Sequence, residues 1–415
     1  MTEGSISAQT IITIFNQLLD PQKVNEAQEA LKQIVSSVEA LPLLFEIFQT
    51  TNSANYINIT LDCIGYCMRL NKFSMNDSNF QYVRSQLLHL LTAIDAPNFI
   101  VHILNVVSIC IDLYPQPWEE LFSFTLSNLE QPNPATFNVQ LQLINLLFNI
   151  FPDEIFAKAI DNILQFVIYG FKIDDTLNQS ISVELASKIV LRTNNAQYAK
   201  EFRPLVQTVF QNIVEKNPQL FLKISNSVQS ITTSSLSIID LSFGISFAFI
   251  NMNSAATSLE LKEQMTLLLK HCLKFTDFAI SEDQLRRIME LLFTYERYLL
   301  SQRPNDGHTI LFDVCECLSS IFYRFPSERI VHLLKLNIQQ YISYQDPSVR
   351  MFPILLIEAA ANVNKEGTSG FLFEVFKALF NLLSDPCDLI IQRVCHTLSN
   401  IALDFPQFVR NQPQC

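Results

Sequence analysis

The most constraining feature of this chain is a helix that is apolar almost all the way round. Over residues 138–149 the polar side chains Asn138, Gln142, Asn145 and Asn149 are spaced four, three and four apart, and apart from Gln140 everything between them is Val, Leu, Ile or Phe. At 3.6 residues per turn these four groups form one narrow stripe on an otherwise apolar cylinder. An earlier stretch does much the same with Asn98, His102, Asn105 and Asp112, although Ile109 interrupts the stripe. A helix of this kind is walled in on most sides and shows one thin face to water, as an inner helix of a stacked array does.

Between the two lies a shorter segment that opens at Pro117-Trp118. Proline is tolerated in a first helical turn, where its missing N–H would have had no partner. Trp118, Phe122, Leu126 and Leu129 make one apolar stripe, with Glu119 and Glu120 near the positive end of the helix dipole. Phe124 falls about half a turn off that stripe; it either helps form a groove for an apolar ligand or packs between repeats. The unit is thus an amphipathic outer helix, a tight turn and a mostly buried inner helix. One such pair cannot cover its own apolar surface, and stacking copies solves that problem.

Composition supports an all-α reading. The 415 residues include only seven glycines, 49% are hydrophobic, and the Asn-Gly and Asp-Gly turns that favour hairpins are scarce. A net charge of −12 argues against nucleic acid, which needs a basic footprint. The nine cysteines contain no CxxC pair; Cys63 and Cys67 lie one helical turn apart, and Cys315 and Cys317 are separated by one residue. Neither pair has a second pair at zinc-finger spacing and Cys395-His396 stands alone, so reduced thiols packed in helices are expected, in a reducing compartment. The opening residues MTEGSISAQT show no targeting pattern. The uncharged stretch 241–259 reads as a buried helix followed by a Ser/Asn loop rather than a membrane span. No phosphate loop, GxSxG, HExxH or GxGxxG occurs, and the six histidines lack carboxylate partners at motif spacing. Neither an enzyme nor a cofactor is expected.

Along the chain, periodicity predicts a first helix pair at 6–19 and 21–36, with Asp20-Pro21 as cap and first helical residue. A second pair begins at 41–48 and continues with 55–71, whose core positions are Ile57, Leu61, Ile64 and Met68 and whose polar stripe is Asn55, Asn58, Asp62 and Arg69. Further helices are predicted at 80–93, 153–171, 177–192, 198–215, 218–232, 236–252, 259–275, 282–300, 309–325 and 328–343. Three successive inner helices therefore share a polar ribbon one side chain wide, and stacked in parallel the ribbons would tile one continuous surface. The turns at Asp346-Pro347 and Asp385-Pro386 lie 39 residues apart, close to the period of HEAT-type helical pairs. An Asp in such a turn can cap the next helix, and an Arg such as Arg350 or Arg393 can pair with the Asp of a neighbouring repeat. The fold class expected is an all-α, HEAT-repeat superhelical solenoid, with residues 1–415 forming one array of about ten helical pairs. Ile390, Ile391, Val394, Leu398 and Ile401 would form a final inner face awaiting a further repeat, and the tail QFVRNQPQC is a short cap for it. A piece of a longer chain, or self-association through this end, is expected on that ground.

With these residues in view, the chain resembles the N-terminal part of the importin-β (karyopherin-β) nuclear transport receptors, especially the importin-β3-like branch. PQKVNEAQEALKQI at 21–34 looks like that family's opening repeat. Pro117-Trp118-Glu119-Glu120-Leu121 is similar to its W-x-E-L outer helix, and Glu201-Phe202-Arg203-Pro204-Leu205 to its F-L-R-P-x-L element. Asn400-Ile401-Ala402-Leu403-Asp404-Phe405-Pro406 resembles the end of a mid-chain repeat. The resemblance implies a receptor that shuttles between cytoplasm and nucleus. Inner helices of its N-terminal repeats would bind the GTP form of the small GTPase Ran, and its outer helices Phe-Gly nucleoporins. Its cargo would be proteins with basic localisation signals. Two departures stand out: members of that family run to about twice this length or more, and no Asp/Glu run longer than two occurs between Glu282 and Asp385, where an acidic loop is often found.

On this reading the partner-binding candidates are Asn58, Asp62, Arg69, His102, Asn105, Asp112, Asn138, Gln142 and Asn145. For Asp62 and Arg69 the competing role is a charge pair with an adjacent repeat; for His102 it is a solvated polar side chain. The competing function is a non-catalytic HEAT-repeat scaffold for a multiprotein complex, like the subunits that organise phosphatases. The pairing of amphipathic and apolar helices predicts an elongated shape. Small-angle scattering should return a radius of gyration well above the roughly 22 Å of a compact chain of this length, and a compact value would overturn the solenoid reading.

Overall fold

The computed structural model describes residues 6–51, 53–93, 97–275, 277–302, 307–363 and 369–404. Among them are twenty α-helices, two short 3-10 turns and no strand. The chain divides into two compact units, residues 1–185 and 186–415, with the division falling inside one helix.

In the first unit the helices are α1 (Ala8–Leu18), α2 (Val24–Val35), α3 (Ala40–Thr50), α4 (Ala54–Leu70), α5 (Asp77–Ala93), α6 (Pro97–Leu113), α7 (Glu119–Leu126), α8 (Pro134–Leu147), α9 (Asp153–Lys172) and the first half of α10 (Thr176–Thr193). Odd-numbered helices are outer and even-numbered ones inner: α2 packs on α4, α4 on α6 and α6 on α8. Ile57, Leu61, Ile64 and Met68, expected in the core, are buried. Gly65 sits where α4 and α6 approach most closely; a Cβ there would lie 2.8 Å from Ile109 Cδ1. That contact explains Ile109: it is buried against α4, and the exposed stripe of α6 passes beside it through Asn105 and Asp112.

The second unit continues with α11 (Ala196–Lys216), α12 (Pro218–Gln229), α13 (Leu241–Asn253), α14 (Leu259–Lys274), α15 (Glu282–Gln302), α16 (Gly307–Arg324), α17 (Ser327–Tyr341), α18 (Pro347–Val363), α19 (Ser369–Asn381) and α20 (Asp388–Asp404). Here too the even-numbered helices stack on one another, from α12 through α14, α16 and α18 to α20. No described helix is long and apolar enough to cross a membrane.

Three local expectations are corrected. α2 begins at Val24 rather than Pro21, because Asp20 spends its carboxylate on a turn, accepting from the Gln22 N–H at 3.0 Å. The helix expected from residue 236 begins at Leu241, where Asp240 caps it by accepting from the Phe243 N–H at 2.9 Å; before it, Ser237 bonds the Ile239 backbone and holds Ile238 and Ile239 in the core. At the other end of the chain, Ile390, Val394 and Ile401 are already buried, since α20 packs on α18; only Ile391 and Leu398 stay half-exposed.

The links between repeats are mostly arginine. Arg84 on α5 donates to the carbonyls of Tyr114 (2.9 Å), Gln116 (2.6 Å) and Pro117 (3.1 Å), and its guanidinium lies over the rings of Tyr114 and Trp118. Those carbonyls belong to a proline turn that has no helical partner for them, so the arginine supplies the donors. In the second unit Arg203 on α11 does the same for the turn before α13, donating to Ser237 (2.9 Å) and Ser234 (3.2 Å). Near the end of the chain the expected Asp–Arg pairing is present at Arg350, whereas Arg393 takes a glutamate instead. Arg350 meets Asp385 at 2.7 Å, and Arg393 meets Glu358 at 2.8 Å with both side chains within 2% of full burial. Thr397 adds a hydroxyl donor to Glu358 at 3.0 Å.

Two predictions follow from this packing. Trp118 is buried and braces Arg84, so Trp118→Ala should lower stability by about 3–5 kcal/mol in urea unfolding; a loss within experimental error would show that the ring does not hold the turn. Glu296 is fully buried and neither of its carboxyl oxygens has a hydrogen-bond partner. Burial raises its pKa well above the ordinary carboxylate value, Arg297 opposing and Asp346 reinforcing the shift. The folded state therefore holds a proton that the unfolded state releases near pH 4.5, so the contribution of this group is complete below that pH and is lost as pH rises through the folded value. Glu296→Gln should raise the melting temperature at neutral pH and leave it unchanged near pH 4; an equal shift at both would refute a buried neutral acid.

Candidate functional site

The polar ribbons lie on the solvent side of the inner helices, and the structure shows how they join. Asp62 on α4 and His102 on α6, forty positions apart, meet at 3.1 Å from Oδ1 to Nδ1. Asn138 on α8 donates to Asn178 on α10 at 2.8 Å and accepts from Gln142, while Asn145 donates to Glu184 at 2.6 Å. On the first repeat Tyr56 of α4 donates to Asn16 of α1. Each bonded partner from a neighbouring helix lies 39 or 40 residues along the chain, which is the repeat period written in hydrogen bonds. Local motif searches could not find these pairs, because no short spacing contains them.

The nine candidates divide by environment. Asp62 is exposed and His102 half-buried, and they hydrogen-bond to each other across adjacent inner helices. Arg69, Asn105 and Asp112 are exposed. Asn138, Gln142 and Asn145 are half-buried and tied to one another or to α10. Asn58 is also half-buried; its Oδ1 is covered and has no hydrogen-bond partner. Asn98 was expected in the same ribbon, but its side chain lies outside the described residues. Asn149 is exposed in the turn after α8 rather than on the helix.

Reading only polar positions missed part of the surface. On α4 the exposed stripe runs through Asn55, Asp62, Tyr66 and Arg69 and continues past the helix end to Phe73. Tyr66 is 46% exposed and Phe73 91% exposed, with the Lys72 ammonium 4.6 Å from the Phe73 ring centre. The available signal was the 3.6-residue register of Asp62, Tyr66 and Phe73. Residues of either polarity at that register face the same way.

The outer helices of the second unit carry a different feature. A groove of about 250 Å³ lies between α15 and α17, lined by Met289, Phe293, Phe325, Leu333 and Phe352, with Arg286 and Arg329 also on its lining. Phe124, left open between a groove and packing between repeats, is half-buried on α7. Six of the described thiols are buried, while Cys387 is half-buried and Cys395 exposed; burial pushes Cys63 up to about 12 and Cys110 up to about 11, so neither is a thiolate near neutral pH.

Comparison with known proteins gives a fold. No protein-family model matches the chain. No curated protein matches it by sequence. Solved structures do match in three dimensions. Kap121p bound to RanGTP aligns with a TM-score of 0.64 at 13% identity, over 98% of this chain and 41% of that one. Kap121p bound to Pho4p aligns at 0.64 and 13% identity, over 98% and 42%; Kap121p bound to Nup53p aligns at 0.62 and 13% identity, over 98% and 42%. The chain thus has the HEAT-repeat solenoid fold of the karyopherins and spans about two fifths of the length of these structures.

Proposed function

We propose that the chain is an importin-β-like nuclear transport receptor. In this reading it takes the GTP form of a Ran-type GTPase on the inner-helix ribbons of its first four repeats, carries protein cargo with basic localisation signals, and shuttles between cytoplasm and nucleus. The observation that carries the proposal is the register of the ribbons. Polar side chains of successive inner helices are bonded to one another at the repeat period on a fold shared with a karyopherin solved with RanGTP. The importin-β3-like branch and the single array of about ten pairs belong to the same proposal. The reading is non-catalytic and needs no cofactor.

Within the surface, Asp62, Arg69, His102, Asn105 and Asp112 supply charge and hydrogen bonds, and Tyr66 and Phe73 supply apolar contact. Charges of this kind steer encounter more than they fix affinity, whereas aromatic groups are favoured as anchors. The apolar groove between α15 and α17 has the size and lining to hold a phenylalanine side chain, which supports Phe-Gly nucleoporins as further partners. The competing scaffold reading draws on the buried Arg350–Asp385 and Arg393–Glu358 pairs, which suit a rigid array.

The deciding experiment is a pull-down with GTP-loaded and GDP-loaded Ran. Wild type should retain the GTP form, and Asp62→Lys with Arg69→Glu should weaken binding by about 1–3 kcal/mol per substitution without lowering the melting temperature. Equal retention of both nucleotide forms, or none by a folded wild type, would put the scaffold reading first.

A further inference from the structure

A second candidate site lies among the inner helices of the second unit and does not depend on the Ran reading. Where the C-terminal turn of α14 meets the end of α12 there is a cavity of about 180 Å³ lined by Gln229, Thr232, Lys270, His271, Lys274 and Phe275, among others. No carboxylate is among its lining residues. His271 is only 6% exposed, yet its Nε2 has no hydrogen-bond partner. A buried ring nitrogen without a partner is costly unless something fills the space beside it.

The groups around the cavity are donors. Lys270 uses one N–H on Asp313 at 2.7 Å and keeps two. Lys274 is exposed, with no ion-pair partner among the described residues. Gln229 spends one amide hydrogen on Ser225 at 2.8 Å and keeps another, and Thr232 offers a hydroxyl. Two of the carbonyls at the end of α14 already have a donor. Arg324 donates to Leu273 at 3.3 Å, to Phe278 at 2.6 Å and to Phe275. Asp313 pairs with Lys270, Glu316 lines the adjoining hollow with Lys274, and Asp277, two residues beyond Phe275, accepts from Ser234; none of the three lines the cavity.

From this geometry we infer that the cavity binds a phosphoryl group, held by the ammonium groups of Lys270 and Lys274 and by an N–H of His271 at Nε2. A tetrahedral oxyanion accepts from several donors at once and would give Lys274 the counter-charge that Lys270 already has in Asp313, which a water would not. The state of the histidine agrees. Burial, with Lys274 second, pushes its pKa down to about 4, so the ring is neutral near pH 7 and a bound anion would raise that value again.

The group could arrive as free phosphate or on a phosphorylated serine of a partner protein, and a titration separates the two. With the full chain at constant ionic strength, the His271 imidazole resonances are followed while inorganic phosphate, a phosphoserine peptide or its unphosphorylated counterpart is added. We expect saturable shifts with phosphate or the phosphopeptide and none with the unphosphorylated peptide. The His271 pKa should rise in the bound state, and affinity should fall about tenfold in Lys274→Gln. Lys274 is on the surface, so that variant should melt with wild type; His271→Asn, checked by its own melting curve, should abolish the Nε2 contact. Tighter binding of the phosphopeptide would identify a phosphorylated partner, and binding of phosphate alone a small-anion site. A response matched by chloride, no saturation with either phosphoryl probe, or unchanged affinity in Lys274→Gln would overturn the assignment.

Discussion

Everything in this chain depends on the inner helix being unable to cover itself. A helix such as α6 or α18 is apolar over most of its circumference, and its own outer partner covers only one side. The remaining sides are closed by the inner helices one repeat before and one repeat after, at the close approach that Gly65 permits between α4 and α6. The stacking direction is thereby set by burial, and the thin strip left to water is all that remains for polar side chains.

Stacking creates a second problem, which arginine solves. Turns between repeats carry carbonyls that no helix satisfies, and they lie where the next outer helix must begin. Arg84 and Arg203, on outer helices of different units, each reach forward about 30 residues and donate to a row of such carbonyls. A planar guanidinium with five donors suits this task better than an ammonium. The sequence word around Glu201 to Leu205 thus acquires a physical meaning: Phe202 is core, and Arg203 clamps the following turn.

Fold class was legible because it rests on periodicity, a local property. The apolar cylinders, the proline turns and the near-forty spacing of Asp346 and Asp385 are all visible in short windows, and the structure contains the helices they imply. The site was legible only in part. Position on the ribbon follows from helical register, so the exposure of Asp62, Arg69, Asn105 and Asp112 could be read from the sequence. Tyr66 and Phe73 share that register, and were passed over because they are not polar. What each ribbon residue touches depends on a partner forty positions away, and nothing near Asp62 in the sequence announces His102. The same holds for His271: a histidine next to Cys272 reads as core, and only the geometry shows a buried ring nitrogen without a partner on a residue that lines a cavity with two lysines.

The ladder also divides labour along the ribbon. Asn138, Asn145 and Glu184 are bonded across repeats and Gln142 is bonded to Asn138 on its own helix, so their side chains are already ordered and lose little freedom when a partner arrives. The same bonds occupy the atoms a partner would use, and this limits what those residues can read. Arg69, Asn105, Asp112 and Tyr66 are exposed and can adapt, at a larger entropic cost per contact. Recognition on such a surface falls mainly to the exposed members, while the bonded members fix the spacing at which they are presented. The first three inner helices after α2 differ in this respect: α4 presents mostly exposed groups and α8 mostly bonded ones, with α6 between them. A partner bound across all three would therefore draw its discrimination from the α4 end and its register from the α8 end.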